Sequence, residues 1–156
     1  MSSTATDTSN REMIITRLLN APRELVWKAW TQPEHVKHWW GPNGFTNTIH
    51  EMEVKPGGIW RFMMHGPNGM DFPNKIVFNE VVINERLVYT HSSEDDNDPN
   101  LFNTTVTFEK QGEKTLLTMR AVFATAEERD RVIKEYGALE GGNQTLARLA
   151  DYLITM

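Results

Sequence analysis

The chain has 156 residues, 39% hydrophobic and 24% charged, which fits one ordinary globular domain. Sixteen Lys and Arg against 21 Asp and Glu leave a net charge of −5, so no general positive field attracts phosphate backbones or anionic lipid, and neither nucleic acid nor membrane is expected as a partner. The absence of cysteine removes disulfides, thiolate metal sites, thiol nucleophiles and iron–sulfur clusters together.

Residues 1–10 are rich in Ser and Thr and carry no apolar stretch. They read as a disordered tail before a single domain over 11–156. No apolar run approaches the ~18 residues that a membrane span needs, and a cytoplasmic location is expected. From Arg11 to Leu19, Ile14, Ile15, Leu18 and Leu19 stand among Thr and Arg and suit a first strand. Ala21-Pro22 then opens a short helix through Leu25, Val26, Ala29 and Trp30 that ends near Thr31. Pro33 to Trp40 reads as a second, with Val36, Trp39 and Trp40 on its apolar side, stopped by Gly41-Pro42.

After Gly44 the hydrophobic period becomes two. Strands are expected over Thr46–Val54, Ile59–His65, Lys75–Ile83, Arg86–His91, Phe102–Glu109 and Thr115–Phe123. The turns between them are read at Lys55-Pro56-Gly57-Gly58, Gly66-Pro67-Asn68-Gly69, Asn84-Glu85 and Gln111-Gly112. Ser92–Asn100 is polar and acidic and reads as a loop. Thr125 caps a helix whose stripe is Val132, Ile133 and Tyr136. Gly137, Gly141 and Gly142 interrupt it before Leu146, Leu149, Ala150 and Leu153 resume the helical spacing. An antiparallel sheet with one apolar face must cover that face, and the C-terminal helix is the element long enough to do so.

The alternation puts Trp60, Phe62 and Met64 on one sheet face, with Tyr89 and His91, Val106 and Phe108, and Leu117 and Met119. Aromatic and Met residues at this spacing build a filled core as readily as the wall of a pocket, and the pattern alone leaves both open.

The order strand, two short helices, six strands and long helix resembles the helix-grip fold of the START-like, or SRPBCC, superfamily. More specific segments are Ala21-Pro22-Arg23-Glu24-Leu25-Val26-Trp27-Lys28-Ala29-Trp30, Trp39-Trp40-Gly41-Pro42, Lys55-Pro56-Gly57-Gly58-Ile59-Trp60-Arg61-Phe62 and Glu85-Arg86-Leu87-Val88-Tyr89. These are similar to signature segments of the AHSA1-like group, named after the activator of Hsp90 ATPase. That group includes calicheamicin-resistance-type proteins and borders on polyketide cyclases and dehydratases. The resemblance spans about Arg11 to Leu153. It implies an α+β fold in which a curved seven-stranded antiparallel sheet wraps around the long C-terminal helix. It also implies an internal cavity, which turns the expectation from a filled core to a pocket. Many relatives carry Gly-Trp before the last helix where this chain has Gly141-Gly142, and the missing indole is expected to widen the space. The expected lining is Trp39, Trp40, Met52, Trp60, Phe62, Met64, Phe78, Tyr89, His91, Val106, Phe108, Leu117, Met119, Gly142 and Leu146.

His35 and His38 lie one helical turn apart, but no third ligand accompanies them, so no metal site is expected. Glu94, Asp95, Asp96 and Asp98 match a calcium loop in composition only. No nucleophile elbow, phosphate loop or dinucleotide fingerprint occurs, and no cofactor is expected. His65, Asp71 and Asn74 flank a hairpin where, with Arg120, they are expected at a polar pocket mouth. Paired imidazole and carboxylate there could serve as a general base, or as turn-stabilising hydrogen bonds. Glu80, His91 and Arg120 could orient a ligand's polar group, form a satisfied internal network or face solvent. The leading reading is a binding module for a small hydrophobic molecule, aromatic or polyketide-like. The alternatives are a cyclase or dehydratase using His65, Glu80 or His91, and a regulator of an Hsp90-type ATPase, a partner implied only by the family name. A homodimer through a sheet edge or through Trp27 and Trp30 is a further alternative.

Overall fold

Proline starts both short helices, since its fixed φ is already helical and its missing N–H would be unpaired in a first turn anyway. The computed structural model describes residues 8–92 and 101–156. In it Pro22 caps α1 (Arg23–Thr31) and Pro33 is the first residue of α2 (Pro33–Val36). The second helix is a single turn and does not reach Trp40 as expected. The Trp39 indole instead donates to the Ala29 carbonyl at 3.1 Å, and Trp30, Trp39 and Trp40 meet edge to face. Ring packing on α1 therefore positions this segment.

Seven strands follow the period-two pattern: β1 (Glu12–Leu19), β2 (Thr46–Met52), β3 (Ile59–His65), β4 (Asp71–Val82), β5 (Arg86–Ser92), β6 (Phe102–Gln111) and β7 (Lys114–Val122). They form one antiparallel sheet in the order β1-β7-β6-β5-β4-β3-β2. Irregularities at Ile49/Glu51 and Phe78/Glu80 bend it. β4 begins at Asp71, four residues before the expected Lys75. Pro73 is tolerated there because, among the described residues, β4 has only β3 beside it until Lys75 pairs with Ser92. The last hairpin turns on Gly112-Glu113, one residue later than expected, because Gln111 pairs with Lys114 and Gly112 takes the positive φ of 65°. Ser92 belongs to β5. The rest of the expected acidic loop, 93–100, and residues 1–7 of the expected tail lie outside the described residues.

The C-terminal helical segment divides at one place. α3 (Ala126–Tyr136) is capped by Thr125, whose Oγ1 accepts the Glu128 N–H at 3.0 Å, and α4 (Ala138–Thr155) follows after Gly137, left-handed at φ 60°. Gly141 and Gly142, expected as further breaks, lie within α4. A Cβ at Gly142 would stand 2.3 Å from Ile15 Cδ1, and one at Gly141 would stand 3.3 Å from Pro42 Cγ. These missing side chains let the helix approach β1 closely at Ile15. Trp60, Phe62, Ile76, Phe78, Leu87, Val106, Phe108 and Leu117 from the sheet pack with Val26, Trp30, Leu146, Leu149 and Leu153 as the core.

Candidate functional site

Strand register explains a hollow near the α3–α4 junction. Met13 pairs with Ala121, Ala121 with Thr104, and Thr104 with Tyr89, which lays one row across β1, β7, β6 and β5 on the inner face. Its two middle members are small. The next row, Ile15, Met119, Val106 and Leu87, is large throughout. Over the depression the helices present Val132, Gly137, Ala138, Gly141, Gly142 and Thr145, while Trp40, Gly41, Pro42 and Met64 form a side wall and Phe102, Phe123 and His91 an end wall. Floor and roof both lack bulk at the same place, and a cavity of ≈ 270 Å³ remains.

Few polar groups enter it. The Tyr89 phenol, fully buried, stands on the strand position opposite Thr104, and burial pushes its pKa well above the ordinary phenol value. It is therefore a neutral hydroxyl. His91 meets Asn74 Oδ1 through Nε2 at 2.9 Å, and Asn74 Nδ2 donates to the Phe72 carbonyl at 2.9 Å. The second bond turns the Asn74 oxygen toward His91, so Nε2–H donates to it. Phe102, at 4.9 Å, and Phe62, at 6.1 Å, flank that imidazole. Thr145 Oγ1 is committed to the Gly141 carbonyl at 2.9 Å.

Trp40, Met64, Tyr89, His91, Met119 and Gly142, all expected on the wall, lie there. Trp39, Trp60, Phe62, Phe78, Val106, Phe108, Leu117 and Leu146 do not line it; they are buried in the adjoining core, and Met52 packs against that core. Inner-face alternation could not separate these two groups, because both point the same way. Lining residues that the pattern missed include Met13, Ile15, Thr104, Ala121 and Thr145. Aligning the last two hairpins would have exposed the small pair Thr104 and Ala121.

The expected mouth comes apart. His65 alternates with Met64 and points to the outer face, where Nδ1 lies 2.7 Å from Asp71 Oδ1 and Nε2 lies 2.8 Å from Thr48 Oγ1. Asn74 has the opposite parity from Asp71 and turns inward to His91. Arg120 stands opposite Ile14 on the outer face and pairs with Glu12 at 2.8 Å. Glu80 is bound by the Arg86 guanidinium, with Nε at 2.6 Å. Of the candidate acid–base groups His65, Glu80 and His91, the cavity lining includes only His91. His35 and His38 both contact Tyr152, the first through a 2.7 Å hydrogen bond between Nδ1 and the phenol oxygen and the second by stacking at 5.5 Å.

Four carbonyls of the segment before β2 are gathered by one guanidinium on α4. Arg148 reaches those of His38, Trp40, Gly41 and Pro42, and the Asn43 N–H donates to Gln144 Oε1 at 3.0 Å. The Gly41-Pro42 wall is thereby tied to the helix that roofs the hollow.

A family model described as "Activator of Hsp90 ATPase homolog 1-like protein" matches residues 20–154. No curated protein matches the chain. Among solved structures, a protein from Nitrosomonas europaea is 26% identical over 94% of this chain and 96% of its own, with a TM-score of 0.82. One from Arthrobacter aurescens is 22% identical over 96% and 90%, with a TM-score of 0.87. One from Chromobacterium violaceum is 24% identical over 92% and 96%, at 0.79. Their architecture is the helix-grip arrangement described above. Among the described residues no helix is long and apolar enough to cross a membrane.

Proposed function

The chain belongs to the AHSA1-like family, and we propose that it binds a small, mostly apolar molecule, aromatic or polyketide-like, in the hollow between sheet and C-terminal helices. The observation that carries this reading is the cavity itself, walled by Met13, Ile15, Trp40, Met64, Met119 and Phe123. An engineered apolar cavity of about 150 Å³ takes up benzene; ≈ 270 Å³ has room for a bicyclic aromatic. It stands below the usual range for drug-sized ligands, about 300–1,000 Å³, which favours a compact guest.

Native mass spectrometry of the protein purified from its own host tests this. The reading expects a bound small molecule in the parent protein that is lost in Ala121→Leu, whose added side chain occupies the floor of the hollow. A guest retained equally by both would place it elsewhere and overturn the assignment.

The enzymatic alternative, a cyclase or dehydratase, draws its support from His91, an imidazole on the cavity wall whose Nε2 meets Asn74. It requires His91→Ala to abolish conversion of a ketide-like substrate while binding survives. Unchanged conversion in that variant would remove it.

A further inference from the structure

We propose that the Tyr89–Thr104 hydroxyl pair determines specificity, selecting an apolar guest that carries a hydrogen-bond acceptor, a ketone, ester or ether oxygen, over a pure hydrocarbon of the same shape. This rests on the binding role proposed for the hollow and names the chemistry of its guest.

Tyr89 and Thr104 face each other across β5 and β6 and both line the hollow. Each is almost wholly buried, at 1% and 2% exposure. Two hydroxyls bring two protons, and even a hydrogen bond between the two groups would use only one, whichever donates. Among the described residues neither hydroxyl has a second protein partner. One O–H is thus left over in a largely apolar site. A buried donor without an acceptor is costly, more so than an acceptor with an unused lone pair, and a phenol oxygen is a weak acceptor in any case. Burial keeps the phenol neutral, so the proton stays available at physiological pH. The other hydroxyl and the imidazole of the lining are already engaged: the Thr145 hydroxyl holds Gly141, and the His91 Nε2–H holds Asn74. The pair offers a guest a donor, and an acceptor oxygen on the guest completes it.

Two planar probes of matched shape separate this from simple apolar binding: 2-acetylnaphthalene, with a C=O, and 2-isopropenylnaphthalene, with a C=CH₂ in its place. Affinities are measured for the parent protein and for the double variant Tyr89→Phe/Thr104→Val. The ratio of ketone to hydrocarbon affinity is expected to fall about threefold to tenfold in the double variant, the worth of one neutral hydrogen bond. Each single variant, which retains one hydroxyl, is expected to keep most of the preference. An unchanged ratio in a double variant that still binds the hydrocarbon overturns the proposal. A second readout needs no variant. The carbonyl stretch of 2-acetylnaphthalene bound to the parent protein is expected below its value in alkane, and a stretch at the alkane value overturns the proposal. If neither probe binds the parent protein, the pocket reading fails and the specificity proposal falls with it. Hydrocarbon binding without a ketone preference leaves the pocket and removes only the selection.

Discussion

Arg148 Nη1 donates to the Gly41 carbonyl at 2.8 Å, from the middle of α4 to the loop that walls the hollow. The same guanidinium also takes the carbonyls of Pro42 at 2.9 Å, Trp40 at 3.3 Å and, through Nη2, His38 at 3.2 Å. A planar fork with several fixed donors can span such a cluster, and a single ammonium cannot. Partial burial lowers the Arg148 pKa, but a guanidinium stays charged across the accessible range.

Arg148→Met is therefore expected to destabilise the fold by about 2–3 kcal/mol, the scale of charge-assisted hydrogen bonds lost from partly buried carbonyls. Chemical denaturation measures it, and Arg148→Lys should recover less than half of the loss. Full recovery by Lys would mean that charge alone, not the fork, holds the loop.

Gly142→Ala places a methyl group 2.3 Å from Ile15 Cδ1, and the hollow that Ile15 lines gives it space to yield into. Alanine's better helix propensity, about 1 kcal/mol, offsets much of the packing cost. Stability should remain within about 1 kcal/mol of the parent, while affinity for 2-isopropenylnaphthalene drops several-fold. A stable variant with unchanged affinity would place the guest away from Ile15.

Glu12 carries a pH signature. The Arg120 guanidinium at 2.8 Å, aided by the Thr8 hydroxyl, lowers its carboxyl from 4.5 to about 2. A folded-state pKa below the unfolded one stabilises the protein above the unfolded value, and that stabilisation is lost as pH falls through the folded value. The Tm difference between the parent and Glu12→Gln should be constant above about pH 5 and shrink between about 4.5 and 2. A difference independent of pH across that window would contradict the pairing.

His65→Ala and Glu80→Ala remove groups on the outer face, away from the cavity. Each should leave probe affinity within about twofold, since sites without shared partners act independently. His91→Ala, on the wall itself, should alter it. A titration series with both probes checks all three variants.

Much of the architecture was legible because it depends on local rules. Prolines at 22 and 33 start helices, period two marks the strands, and Gly137 stops α3. Features that depend on distant contacts were not. Gly141 and Gly142 read as breaks because nothing local shows that Pro42 and Ile15 press against them. Pro73 hid the start of β4 because its tolerance depends on which side of the strand is open. The site was half legible for the same reason. Alternation assigns Met64, Tyr89 and Met119 to the inner face along with Trp60, Phe78 and Leu117, but only strand register shows that Ala121 and Thr104 fall side by side and leave the space above them empty. His65 and Asp71 are partners as their spacing suggested, at 2.7 Å; strand parity turns them outward.

The hollow's capacity for a guest is tested most directly by a crystal structure of the protein saturated with naphthalene. The expected result is a bicyclic ring lying over Ala121 and Thr104, between Met64 and Met119 and beneath Gly141 and Gly142. A structure in which naphthalene is absent from that space, with the surrounding side chains closed into it, would rule out a guest there.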